Sequence, residues 1–192
     1  MSVRVADGRD APAMARLHVA EIDEGFLPTL GPRFLAQLYR RVVRSPSSFA
    51  FVAEHDGAVV GFSAGAENLG RLYRSFLLRD GLVVVLTTGP RLARAWRRVV
   101  ETVRYPARDD GDLPSAELIA IAVGREARGR GIGRELVDAV TEEFARRGVA
   151  AARVVAGADN EAALALYRAC GFRTATTVQV HRGTPSEVLT WS

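Results

Sequence analysis

The stretch Ala127–Leu136, ARGRGIGREL, holds three glycines and three arginines. Residues of these types meet phosphate in two ways. A flexible Arg/Gly segment pairs its cations with the backbone of a polynucleotide. A fixed glycine loop instead turns several backbone N–H groups toward the phosphates of one small molecule. Elsewhere the chain offers a tyrosine, Tyr167, one turn before a helix-ending glycine, and a carboxylate, Glu117, at the start of an apolar run. Glu21, Asp23 and Glu24 form an acidic group, and Cys170 is the single thiol.

Composition narrows the choice. All 26 basic residues are arginine, which removes a Schiff-base lysine and a P-loop lysine. One cysteine and three histidines supply neither a disulfide framework nor a thiolate zinc cluster, so no metal is expected. A net charge of +4 over 192 residues suits an anionic ligand and is too small to imply nucleic acid. The N-terminal MSVRVADGRD lacks the apolar core of a signal peptide, and the apolar run Leu82–Leu86 is far short of the roughly 20 residues of a membrane span. The expectation is a cytoplasmic protein of one domain, residues 1–192, with no nucleic-acid or membrane partner.

The elements that must position these groups follow from periodicity. Val3–Ala6 reads as a strand leading to a helix over Gly8–Ile22, with Asp7 or Asp10 able to cap it. Phe34, Leu35, Leu38, Tyr39 and Val42 recur at helical spacing from Pro32 to Ser45. His55-Asp56-Gly57 between two apolar runs predicts a hairpin. Residues from about 68 to 112 read as a helical insertion, with helices over Leu69–Arg79 and Arg91–Tyr105. Ala116–Val123 reads as a buried strand, and Ile132, Leu136, Val140 and Phe144 form one stripe of a helix ended by Gly148. A strand over Val149–Ala156, a helix over Asn160–Ala169, and strands over Phe172–Val180 and Val188–Trp191 complete the chain.

ARGRGIGREL thus joins a buried strand to an amphipathic helix, so the loop is held rather than disordered. The P-loop pattern fails for want of lysine, and a dinucleotide fingerprint counted from Gly129 fails at Arg134. Arg128-x-x-Gly131-x-Gly133 resembles motif A of the GNAT superfamily of acyl-CoA-dependent N-acyltransferases. Asn160–Phe172, NEAALALYRACGF, resembles that family's motif B, N-x-x-A-x-x-x-Y-x-x-x-G-F, and it arrives one strand later, in the family's order. The resemblance covers 115–180 and not the segment 68–112.

The resemblance implies an α+β (α/β three-layer) fold: a central mixed, mostly antiparallel sheet of about seven strands flanked by helices, with the helical insertion between strands 3 and 4. It implies acetyl-CoA as cosubstrate, held by the backbone of Arg128, Gly129, Arg130, Gly131, Ile132, Gly133 and Arg134. The arginine side chains either add to the phosphate contact or stay solvated. Ile121, Ala122 and Val123 would pair through the main chain with pantetheine, and Asn160 would contact the same arm as well as cap its helix. Tyr167 would hydrogen-bond and protonate the thiolate, against the alternative of an aromatic that only packs.

Glu117 is the candidate general base, on a strand face expected to include Ile119, Ile121 and Val123; the alternative is a solvent-exposed strand end. Glu21, Asp23 and Glu24 fall where the family commonly forms its acceptor site, and His181 is a weaker candidate there. Cys170 reads as a buried thiol, so direct transfer in a ternary complex is expected over a covalent acyl-enzyme. The expected activity is acetylation of a primary amine of a small molecule, with a slight preference for a cation. The alternatives are a protein or peptide acceptor and a non-catalytic module that binds CoA or nucleic acid. The insertion could shape the acceptor pocket, form a homodimer surface or cover a sheet edge.

Overall fold

The computed structural model describes residues 1–23, 25, 27–88, 113–179 and 185–192, with the backbone alone over 81–88. Strands β1 (Ser2–Val5), β2 (Ser48–His55), β3 (Ala58–Ala66), β4 (Ala116–Val123), β5 (Ala152–Gly157), β6 (Arg173–Val178) and β7 (Ser186–Trp191) form one sheet in the order β1-β2-β3-β4-β5-β7-β6. Helices α1 (Ala11–Glu21), α2 (Gly31–Arg44), α3 (Leu69–Thr88), α4 (Ile132–Arg146) and α5 (Glu161–Ala169) pack around it. All neighbouring strands run antiparallel except β4 and β5. This is the three-layer α+β arrangement expected, with helical α3 following β3.

Local chemistry accounts for the elements. Pro12 and Pro32 sit in the first turns of α1 and α2, where a missing N–H costs nothing. Asp10 does not cap α1; its carboxylate accepts from the Asp7 N–H and binds Arg4 instead. Asp56 and Gly57 both take positive φ, so the β2–β3 connection is the two-residue turn that matches strand twist. The helix expected to stop at Arg79 continues through Gly81 to Thr88. The expected helix over 91–105 lies outside the described residues.

Apolar burial divides between the two faces. Met14, Phe34, Leu35, Tyr39, Leu72 and Phe76 meet Phe62, Ala64 and Ala66 of β3 on the face covered by α1, α2 and α3. Val137, Val140, Phe144, Leu164 and Tyr167 meet Leu118, Val154 and Leu189 on the face covered by α4 and α5. The helical stripe Ile132, Leu136, Val140 and Phe144 is buried as its spacing predicts.

Two irregularities shape the middle of the sheet. β4 and β5 pair only through Ala116↔Ala152, Glu117↔Arg153 and Leu118↔Val154, after which they separate although both continue. Against β3, Ala64 pairs with Ala120 but Gly65 pairs with Leu118, so Ile119 is the extra residue of a β-bulge. The bulge overturns one expectation. Glu117 pairs with Ala66, which faces α1, α2 and α3, whereas Ile121 pairs with Ser63, whose hydroxyl donates to the Leu136 carbonyl of α4 on the other face. Glu117 therefore does not share a face with Ile121 and Val123.

Candidate active site

The loop between β4 and α4 begins with a short 3-10 turn, Arg125–Ala127, and then runs through Gly129 and Gly131, both left-handed at φ 76° and 80°. A side chain at either position would be strained, and none would touch the protein. The backbone N–H groups from Gly129 to Arg134 donate to no acceptor among the described residues, and the last three open a helix of 15 residues. Unused donors and the positive end of a helix dipole thus coincide. Gly133 answers to a different demand: a Cβ there would lie 3.2 Å from Leu166 of α5, so its small size serves helix packing.

The loop arginines differ in what they do. Arg128 turns back, donating from Nη2 to Glu21 at 2.6 Å and from Nε to the Val123 carbonyl at 3.1 Å. Its side chain anchors the loop to the end of α1. Arg134 donates to the Ala169 carbonyl at the end of α5. Arg130 is exposed and makes no hydrogen bond or ion pair among the described residues, which leaves it available to a phosphate.

Beyond Leu118 and Val154 β4 and β5 are no longer paired, and Ile121, Ala122 and Val123 lie on that unpaired stretch of β4. Asn160 lies three residues beyond the end of β5, where its Oδ1 accepts the Ala163 N–H at 3.1 Å and caps α5. One helical stretch later Tyr167 is 5% exposed, packed among Leu118, Val154 and Leu164, with its ring centroid 5.7 Å from that of Phe172.

Glu117 sits one residue before the strands separate. It is buried, and Arg153 Nε donates to its Oε2 at 2.9 Å. Burial raises its pKa, and the Arg153 charge and hydrogen bond offset only part of that. Tyr73 of α3 is close enough to feel this carboxylate, which adds to burial in raising the phenol pKa. Arg153 and Tyr73 were not among the sequence candidates. An arginine inside the apolar run ARVVAG was the available signal.

The other candidates are dispersed. Glu21 is ion-paired to Arg128, with Arg125 at 3.6 Å. Asp23 is exposed, and Glu24 and His181 lie outside the described residues. The Cys170 thiol is half-buried and held above its usual range by burial and then by the Asp138 carboxylate, the reverse of an activated nucleophile. Among the described residues there is no metal-binding cluster of His, Cys, Asp and Glu, and no helix is long and apolar enough to cross a membrane.

The sequence model of the Acetyltransferase (GNAT) family matches residues 13–172. The chain belongs to this family. It is a family of acyltransferases, and named N-acetyltransferases are among this chain's relatives. The [ribosomal protein bS18]-alanine N-acetyltransferase of Escherichia coli K12 is 41% identical over 64 residues, which is 33% of this chain and 43% of that protein. The match thus spans less than half the length of that relative.

Solved structures agree in fold. The ribosomal-protein-alanine N-acetyltransferase of Brucella melitensis superposes with a TM-score of 0.65 at 22% identity, over 100% of this chain and 99% of its own. A Salmonella typhimurium acetyltransferase solved with acetyl-CoA gives 0.61 at 18% identity, covering 100% of this GNAT chain and 92% of the other.

Proposed function

We propose that this chain transfers acetyl from acetyl-CoA to a primary amine of a small molecule, by direct attack in a ternary complex. The observation that carries the proposal is the unpartnered run of amides from Gly129 to Arg134 beside the opening between β4 and β5. These donors fit a pyrophosphate, with exposed Arg130 as a further cation. The backbone edge of Ile121–Val123 that no strand covers on its β5 side among the described residues fits the amides of a pantetheine arm. When bound, acetyl-CoA supplies an activated acyl thioester.

The chain's own groups then divide the work. Tyr167 stands on the α5 side of the opening and is assigned to deliver its phenolic proton to the departing sulfur. Glu117 stands on the opposite face and is assigned to take the proton of the attacking ammonium; its raised pKa brings its basicity nearer that task. The strand backbone at the bulge is assigned to orient the carbonyl. The raised pKa of Cys170 supports a route without a covalent acyl-enzyme.

A second reading, acetylation of a protein or peptide, is favoured by the Escherichia coli relative, a [ribosomal protein bS18]-alanine N-acetyltransferase. Calorimetry with acetyl-CoA, followed by CoA release from a panel of amines, amino sugars, polyamines and peptides, separates these outcomes. No binding at millimolar acetyl-CoA would sink the enzyme reading, and turnover confined to peptides would replace the small-molecule acceptor.

A further inference from the structure

Arg153 is a guanidinium in the interior of a sheet, with its side chain only 10% exposed. Burying such a charge is costly unless its donors are used. Among the described residues it makes one side-chain hydrogen bond, from Nε to Glu117 Oε2. Both Nη groups are left without a partner there, as are Glu117 Oε1 and the Tyr73 hydroxyl. All three residues are nearly buried, at 8% exposure for Arg153 and Glu117 and 5% for Tyr73. The three side chains therefore keep unused hydrogen-bonding capacity among the described residues, on the face opposite α4 and α5, beside the point where β4 and β5 separate.

The charges already balance. Glu117 and Arg153 cancel, and Glu21 is likewise spent on Arg128. A polyamine or an amino sugar would add unbalanced positive charge to a nearly buried site, and two of the acidic groups that favoured a cationic acceptor in the sequence, Glu21 and Glu117, are paired in the structure. A zwitterion adds no net charge. Its ammonium meets the free oxygen of Glu117, and its carboxylate meets the two Nη groups, whose parallel N–H bonds match a carboxylate fork.

We propose that the acceptor is a free α-amino acid or a close relative, an amine with a carboxylate on the adjacent carbon, and that Arg153 is the residue that recognises the carboxylate. Tyr73 supplies a further hydroxyl contact to the same oxygens. The assignment rests on the acetyltransferase reading and narrows its acceptor.

The test compares matched amines with the wild-type enzyme and acetyl-CoA: free amino acids, their primary amides, their decarboxylated amines, and short peptides. Free amino acids are expected to exceed the decarboxylated amines in kcat/KM by about tenfold or more. Arg153→Gln is expected to bring that ratio close to one, while acetyl-CoA binds as tightly as before; loss of turnover from disturbed folding would lower both substrates alike. If Arg153→Gln does not fold, Arg153→Lys retains the charge without the fork, and the ratio is expected to fall between wild type and one.

Equal or better use of decarboxylated amines, polyamines, amino sugars or peptide N-termini overturns the assignment and leaves the enzyme reading intact. So does an acetyl-CoA-binding protein that acetylates no free amino acid. Failure to bind acetyl-CoA sinks the enzyme reading instead, and the site then stands or falls on calorimetric binding of the same amino acids to the protein alone.

Discussion

Tyr167 and Glu117 lie on opposite faces of the sheet, on either side of the point at which β4 and β5 part. Tyr167 packs with Leu118 and Val154, while Glu117, their immediate strand neighbour, pairs with Ala66 on the other face. An amine approaching from one face and a thiolate leaving on the other would each meet its own proton carrier.

Tyr167→Phe keeps the ring that packs against Phe172 and removes only the hydroxyl. Turnover is expected to fall about 100-fold or more, in the range of a lost general acid. The KM for acetyl-CoA should move little. Unchanged single-turnover rates would remove Tyr167 from the chemistry.

Glu117→Gln tests the base through pH. Burial raises the Glu117 pKa, so the wild-type kcat/KM should rise with pH through a limb above the ordinary carboxylate range. The limb should vanish in the variant, with activity reduced about 100-fold. Because Arg153 then loses its counter-charge, the variant should also be less stable by about 3 kcal/mol or more, measured by urea unfolding. A limb that survives in the variant belongs to another group.

The two loop glycines should respond differently. Gly131→Ala places a side chain at φ 80°, at a cost of about 1–2 kcal/mol, and points a methyl toward open space beside the unused amides. Acetyl-CoA affinity is expected to weaken about tenfold or more. Gly133→Ala meets only the end of half-buried Leu166 at 3.2 Å, which can shift, so a smaller effect on affinity is expected. Calorimetry of both variants checks the ranking.

His18 makes stability depend on pH. It is 4% exposed, its Nδ1 lies 2.6 Å from the Tyr39 hydroxyl, and burial lowers its pKa from 6.5 to about 4. Between these values the unfolded chain binds a proton that the folded chain refuses, so stability is lost as pH falls from 6.5 toward 4. The loss attributable to His18 should total about 3 kcal/mol and be complete below about pH 4. Subtracting the urea unfolding curve of His18→Gln from that of the wild type isolates it; a flat difference would contradict the assignment.

What the sequence disclosed was local. The Asp56-Gly57 turn, the stripe from Ile132 to Phe144 and the glycine loop between strand and helix each depend on neighbours within a few turns of chain, and each is found as expected. Contacts across the chain were not legible. Glu21 and Arg128 are 107 residues apart, and nothing in either segment signals the other. Ile119 in its bulge reads as an ordinary strand residue, yet that single insertion moves Glu117 to the other face. Arg153 is one polar residue in an apolar strand, where an arginine is expensive and needs a reason.

The brevity of the β4–β5 ladder has a further consequence. Past its three pairs β4 carries an interior edge over Ile119–Val123 with no strand on its β5 side among the described residues, the Val123 carbonyl being taken by Arg128. An extended amide-bearing molecule entering there would act as a substitute strand, and so as a structural member. The empty protein should exchange these amides quickly and the loaded one slowly. In a cell, nucleotide-thioester supply would then govern not only how fast this protein works but how long it lasts.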